Sequence, residues 1–332
     1  MSGAASTSET IRRLASQREY GVLALLVLTV VVVTAVNPAF LAGGNVKDML
    51  VQAAPAAVVA CGLTLVVVMG EIDISVGSLM GLLAAVLGIV TSPERLGWPV
   101  GVGIALTLLL GMAVGLINGL LVTYGRVPSI IVTLGMLTAL RGITEILMGG
   151  EWIKQLPPGL RYFGTGAVAG VPVSVVVAAL VVCGCIVLAR EMPLGRRIYA
   201  AGSNPHAARL AGLPVLRLKL FVFMLTGFLT GVATIISVPQ LSVIESGIGQ
   251  GFELLVVTCV VVGGTLISGG QGTIIGSLLA VLLLGMIRTV LIFLRLGPSA
   301  TYWERAIQGA FILLAVLVDH VARSKANAEA GA

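Results

Sequence analysis

The chain has 332 residues, with 20 Lys or Arg, 14 Asp or Glu and a formal net charge of +6. Charged residues are only 10% of it and the apolar set is 58%, against roughly 25% charged in an ordinary soluble domain. This excludes a disordered chain and a soluble globule; four Cys exclude a disulfide scaffold, and continuous apolar runs exclude the alternation of a membrane barrel.

A membrane-crossing helix needs about 20 mainly apolar residues. In chain order the candidate runs are Tyr20–Val36, Ala53–Met69, Val76–Val90, Val100–Tyr124 and Ile130–Met148. Val171–Leu188, Leu218–Val238, Leu254–Ile267, Ile274–Leu294 and Ala306–Val318 follow. The expected fold is therefore all-α and polytopic, with about ten transmembrane helices. Val76–Val90, Leu254–Ile267 and Ala306–Val318 are short enough to be broken or partial spans. Arg12, Arg13 and Arg18 precede the first run as in a signal peptide, but the run exceeds an h-region of about 7–15 residues and reads as a retained span.

Lys and Arg in short loops set orientation, which is how the +6 is read here; it is not a nucleic-acid signal. Arg190, Arg196, Arg197, Arg209 and Arg217 lie between the sixth and seventh runs, opposed only by Glu191. Placing that loop in the cytoplasm puts both termini there, along with Arg126, Arg323 and Lys325. Glu245 and Glu253 then fall outside, and Arg288 and Arg295 run against the rule. Residues 1–19 are expected as an N-terminal tail, 20–319 as one transmembrane domain with a cytoplasmic loop at 190–217, and 320–332 as a C-terminal tail.

Four segments draw the eye. In Met69–Ser78, Glu71 and Asp73 stand between two apolar runs with almost no loop, flanked by Gly70 and Gly77. Two readings are open: a broken-helix element lining or gating a passage, or a tight turn with solvated acids and Ser75 capping the next helix. Ile267–Thr273, with Gly269, Gly270 and Gly272, lacks the Gly-Lys-Ser/Thr ending of a phosphate loop and reads as a flexible hairpin. In the basic loop, Asn204 is a good N-cap, Pro205 suits the first helical position, and Gly212 ends a two-turn helix over Pro205–Ala211. So short a helix needs something to pack against. Arg141 and Glu145, four apart on one face, can neutralise each other or belong to a polar path.

An internal echo aligns Val76–Leu87 on Gln271–Leu282 without gaps, as repeats in transporters do. Enzyme signals are missing: the only His are His206 and His320, and neither a catalytic triad nor Cys/His metal spacing occurs.

Together these segments resemble the permease subunits of bacterial ABC importers for ribose and related sugars. The resemblance rests on Gly70–Ser78, on Val127–Met136 with Arg141-Gly142, on Gly195-Arg196 through Gly202, Asn204 and Ala207–Gly212, and on Gly263-Gly264 through Gly272. It covers the chain from Tyr20 to Asp319. Gly149–Ile153 with Leu156-Pro157 is similar to the autoinducer-2 and rhamnose-type permeases in particular. The resemblance implies a bacterial inner-membrane protein that pairs with a second permease subunit. It also implies a periplasmic sugar-binding protein on the outer face and a separate ATPase on the cytoplasmic face. ATP and Mg belong to that ATPase, and the chain itself needs no cofactor. Gly202, Asn204, Pro205, Ala208, Arg209, Leu210 and Gly212 would form the coupling helix. Asp73, Ser75, Gly77, Ser78, Gly269, Gly270 and Gly272 would lie near the path or inner gate. The competing reading is an ion-gradient-driven transporter using Asp73, Glu145 or Glu253.

Overall fold

A backbone in hydrocarbon must satisfy its own hydrogen bonds, so apolar runs this long fold as helices packed side by side. The computed structural model describes residues 3–295, 303–304, 306–311 and 313, with side chains from residue 19 onward. Its helices are α1 (Gly3–Val36), α2 (Gly43–Val68), α3 (Val76–Thr91), α4 (Val100–Thr123), α5 (Ser129–Met148) and α6 (Pro158–Thr165). A short antiparallel hairpin follows, β1 (Ala167–Val168) with β2 (Val171–Pro172). Then come α7 (Val173–Arg190), α8 (Pro193–Ser203), α9 (Pro205–Leu210), α10 (Val215–Ser237), α11 (Phe252–Val262), α12 (Ile274–Gly285) and α13 (Ile287–Phe293).

Seven stretches are long and apolar enough to cross a membrane, fewer than the ten expected. The third run is a helix of 16 residues, about 24 Å, short of a hydrocarbon core of roughly 30 Å. The eighth run stops at Val262, where Gly263 and Gly264 release the backbone, leaving 11 helical residues. The ninth breaks at Met286. Residues 312 and 314–318 of the tenth, Ala306–Val318, lie outside the described residues, as do Arg323, Lys325 and residues 320–332. α2 starts at Gly43, earlier than expected, because Asn45, Lys47 and Asp48 occupy its first turns and cut the apolar run short without cutting the helix. Two further elements were not foreseen: α6 with the hairpin, and α8, which Pro193 opens at its first turn.

α2 is the centre of the bundle. Of its most apolar window, 89% is buried, against 11% for the span at the N-terminus. It packs on α7, α10, α11 and α12. α4 and α10 meet through small residues: a Cβ on Gly111 would overlap the Gly227 carbonyl, and one on Gly227 the Gly111 carbonyl. This is close backbone approach of the kind that holds membrane helices together.

α2, α4 and α7 end, and α5 and α10 begin, at the end of the bundle that carries α8 and α9. We term this the basic end. α6 and the hairpin lie at the opposite end, where Arg95 pairs with Glu151. The two echoed stretches form α3 and α12, and both pack on α11. Their aligned glycines, Gly81 and Gly276, each sit against a carbonyl of the segment between them, Ile248 and Gly263 respectively.

Candidate functional site

Residues 70–75 continue α2 toward α3 without a helix, so the third span is discontinuous. Asp73 is buried rather than solvated, with 3% of it exposed. Its Oδ1 accepts from the Ser75 N–H at 2.9 Å and from the Ser75 hydroxyl at 2.6 Å. Ser75 holds the N-cap position of α3, yet its hydroxyl does not cap the helix. It is committed to Asp73 and accepts from Asn118 Nδ2 at 3.0 Å. The Ile72 N–H donates to Ser129 Oγ at 3.1 Å, and Lys219 on α10 pairs with Glu71. The turn of solvated acids is therefore replaced by a closed polar knot against α4, α5 and α10. Gly77 and Ser78 are buried in the first turn of α3.

The glycines of the second segment lie elsewhere, at the basic end. The Gly270 N–H donates to the Val68 carbonyl at 2.7 Å, tying the 269–272 loop to the last turn of α2. A Cβ at Gly202 would overlap that same carbonyl and lie 3.1 Å from the Gly270 nitrogen. A Cβ on Gly269 would come within 2.9 Å of Gly70 N and 3.1 Å of Gly202 O. Only glycine lets three backbones meet this closely. Ser203 Oγ donates to Gly270 O at 3.3 Å and the Tyr199 hydroxyl to Gly272 O at 2.9 Å. Burial, with Glu19 adding and Arg190 opposing, pushes the Tyr199 phenol up to about 12, which keeps it a donor. The structure thus joins Gly202 with Gly269 and Gly270. It keeps Gly77 and Ser78 apart from that joint.

α9 follows at once. Asn204 accepts from the N–H groups of His206 at 3.1 Å and Ala207 at 2.9 Å, and Pro205 takes the first helical position. Leu213 N–H bonds to Ala208 O across Gly212, whose φ is +79°; this is the left-handed closure expected of a C-terminal glycine. The helix ends at Leu210, one residue short of the expected Ala211. Ala208 is buried, while Leu210 is 79% exposed and Arg209 points outward, its Nε held only by Pro205 O. A knob with an exposed Leu and Arg sits directly on the three-backbone joint.

Of the two readings open for Arg141 and Glu145, the self-paired couple is not formed. Arg141 Nη1 instead donates to the carbonyls of Ser246 at 2.7 Å and Ile248 at 2.9 Å, while Glu145 is exposed. Residues 241–251, ahead of the eighth run, are not helical. Ile244 bridges Ile153 and touches Gly88; Ile248 O lies against Gly81 and Gly249 O against Gly77. Glu253 does not lie in an outer loop but in the first turn of α11, against Gly77. The signal available in the sequence was Gly247, Gly249 and Gly251 in alternation, a pattern that reads as a loop. Among the described residues no His, Cys, Asp and Glu group is arranged to hold a metal ion.

Comparison with known proteins agrees with a transport architecture. The family model described as "Branched-chain amino acid transport system / permease component" matches residues 45–316. The ribose import permease of Haemophilus influenzae is 34% identical over 318 residues, covering 95% of this chain and 96% of its own. The ribose import permease of Escherichia coli K12 is 37% identical over 302 residues, covering 90% and 92%. The autoinducer 2 import system permease of Yersinia enterocolitica is 36% identical over 260 residues, covering 78% and 70%. No solved structure matches the chain. It is a multi-pass protein of the bacterial inner membrane and a transport subunit, and it belongs to the branched-chain amino acid transport system / permease component family.

Proposed function

We propose that this chain is the transmembrane permease subunit of an ABC importer, carrying a small sugar or sugar-like molecule of the ribose, rhamnose or autoinducer-2 class. The basic end faces the cytoplasm, in keeping with the positive-inside rule. α9 is the coupling helix, with Arg209 and Leu210 seated in a groove of a separate ATPase that binds ATP and Mg. A periplasmic binding protein delivers solute to the opposite end, and a second permease subunit completes the passage. The chain itself binds no cofactor.

The observation that carries this reading is the joint beneath α9. At Gly202, α8 meets the last turn of α2 and the 269–272 loop backbone to backbone, and Tyr199 and Ser203 add bonds to that loop. A push on α9 therefore reaches the second run through Val68, the segment leading to α3 through Gly70, and the eighth and ninth runs through Gly269–Gly272. Rigid contacts of this kind carry displacement because packed backbone deforms little. The test is Arg209→Glu with Leu210→Glu in the reconstituted complex. Solute-stimulated ATP hydrolysis should fall to the unstimulated rate; full stimulation would remove α9 from the coupling role.

A second solute class follows from the family's description, a branched-chain amino acid. Uptake of labelled ribose and labelled leucine by the reconstituted complex separates the two. Uphill uptake by the chain alone under a proton gradient would replace both with an ion-driven carrier.

A further inference from the structure

Residues 241–251 lie at membrane depth without a helix. α5 fixes that depth: Arg141 stands 12 residues from Ser129 and seven from Met148, about 18 Å and 10 Å along the axis. Its two acceptors, Ser246 O and Ile248 O, are therefore well inside the bilayer. Glu245, Gly247 and Gln250 are exposed at this level. Among the described residues, the N–H groups of Glu245, Ser246, Gly247 and Gly249 have no hydrogen-bond partner. Hydrocarbon cannot satisfy them, and irregular backbone at such depth is tolerated only against protein or a water-filled cavity.

The polar groups around this segment are complementary. Glu253 Oε1 accepts from the Gly251 N–H at 3.2 Å, while its Oε2 is buried, lies against Gly77 and has no partner among the described residues. Arg141 uses only Nη1 among the described residues. Gly77 and Glu253 both belong to the first turns of their helices, so the N-termini of α3 and α11 meet here. Broken helices whose N-termini converge at mid-membrane are how transporters build solute sites.

We propose that the exposed face of residues 245–251, pinned by Arg141, lines the solute passage. Gln250, Glu253 and the free donors of Arg141 contact a neutral polyhydroxylated solute there. This deepens the permease reading and rests on it. The charges select the class. A cation is opposed by Arg141 and two helix N-termini. An anion is opposed by Glu245 and Glu253. A hydroxyl both donates and accepts, so the hydroxyls of a polyol can meet the Glu253 carboxylate and an Arg141 N–H alike.

The experiment is thiol accessibility in the reconstituted complex, with Cys61, Cys183, Cys185 and Cys259 replaced. Gln250→Cys is treated with a membrane-impermeant methanethiosulfonate, with Glu245→Cys as a second probe should the first not fold. Val31→Cys, on the largely unburied α1, is the lipid-facing control. Both probes should react at least ~10-fold faster than the control, and ribose should slow them several-fold. Rates equal to the control at both positions would overturn the passage, whichever solute the importer carries. Fast reaction slowed by leucine, or by neither solute, would keep the passage and overturn the polyol contact.

Discussion

Two non-helical segments, residues 70–75 ahead of the third run and 241–251 ahead of the eighth, both border the first turn of α3, yet they are closed in different ways. In the third, the acids and the hydroxyl of the break have named partners, Asp73 with Ser75, Ser75 with Asn118 and Glu71 with Lys219, and the Ile72 N–H bonds to Ser129; among the described residues the Asp73 and Ile74 N–H groups and Asn118 Oδ1 have none. In the eighth, two carbonyls are held by Arg141 while four N–H groups and Glu253 Oε2 are left open. The difference teaches that a broken span has two uses. A break whose acids and hydroxyl are paired within the protein is scaffold; one that leaves a buried carboxylate oxygen open needs water or solute to complete it.

The sharpest way to break this comparison is Asp73→Ala. It strands the Ser75 N–H and hydroxyl in a dry site, and two buried unsatisfied donors cost about 4 kcal/mol together. The thermal midpoint in detergent should fall by more than for any substitution in residues 245–251. If it does not, the knot at Asp73 is wet as well. Arg141→Leu comes next. Carbonyls facing water rehydrate, so a loss of about 1–3 kcal/mol is expected, with transport down at least ~10-fold. A loss as large as that of Asp73→Ala would mean the eighth-span segment is packed rather than wet.

Glu71 and Lys219 sharpen the scaffold side. A double-mutant cycle with Glu71→Gln and Lys219→Met should give a coupling of about 1–2 kcal/mol, since both side chains are mostly buried. Zero coupling would leave the pair without structural weight. Asn204→Ala removes two accepted hydrogen bonds at the start of α9, about 1 kcal/mol of local helix stability. Its readout is hydrolysis no longer stimulated by solute, with the thermal midpoint of the bundle little changed. Gln250→Ala is the mildest, under about 0.5 kcal/mol in stability. It should raise the KM of uptake several-fold, and an unchanged KM would remove Gln250 from the solute's path.

How much of this was legible in advance follows the range of each interaction. α9 was read almost to the residue, because Asn204, Pro205 and Gly212 act on backbone one to three positions away. The family resemblance was carried by Gly70–Ser78, but the state of Asp73 was not legible, since Asn118 and Ser129 are its neighbours only in space. α8 was missed because Gly195, Gly202 and Pro193 look like loop residues; packing against α2 and the 269–272 loop makes them helical. Spacing along α5 offers Arg141 either Glu145 or a polar path and cannot choose, because its partners lie more than a hundred residues on.

The amino-acid order alone determined that this is an all-helical membrane protein with a basic face and a short capped knob, because hydropathy, loop charge and capping act locally. Only the tertiary structure decided which polar residues are sealed and which are open. Burial and partnership at Asp73, Arg141 and Glu253 depend on helices brought together from distant parts of the chain, and no local rule encodes that meeting.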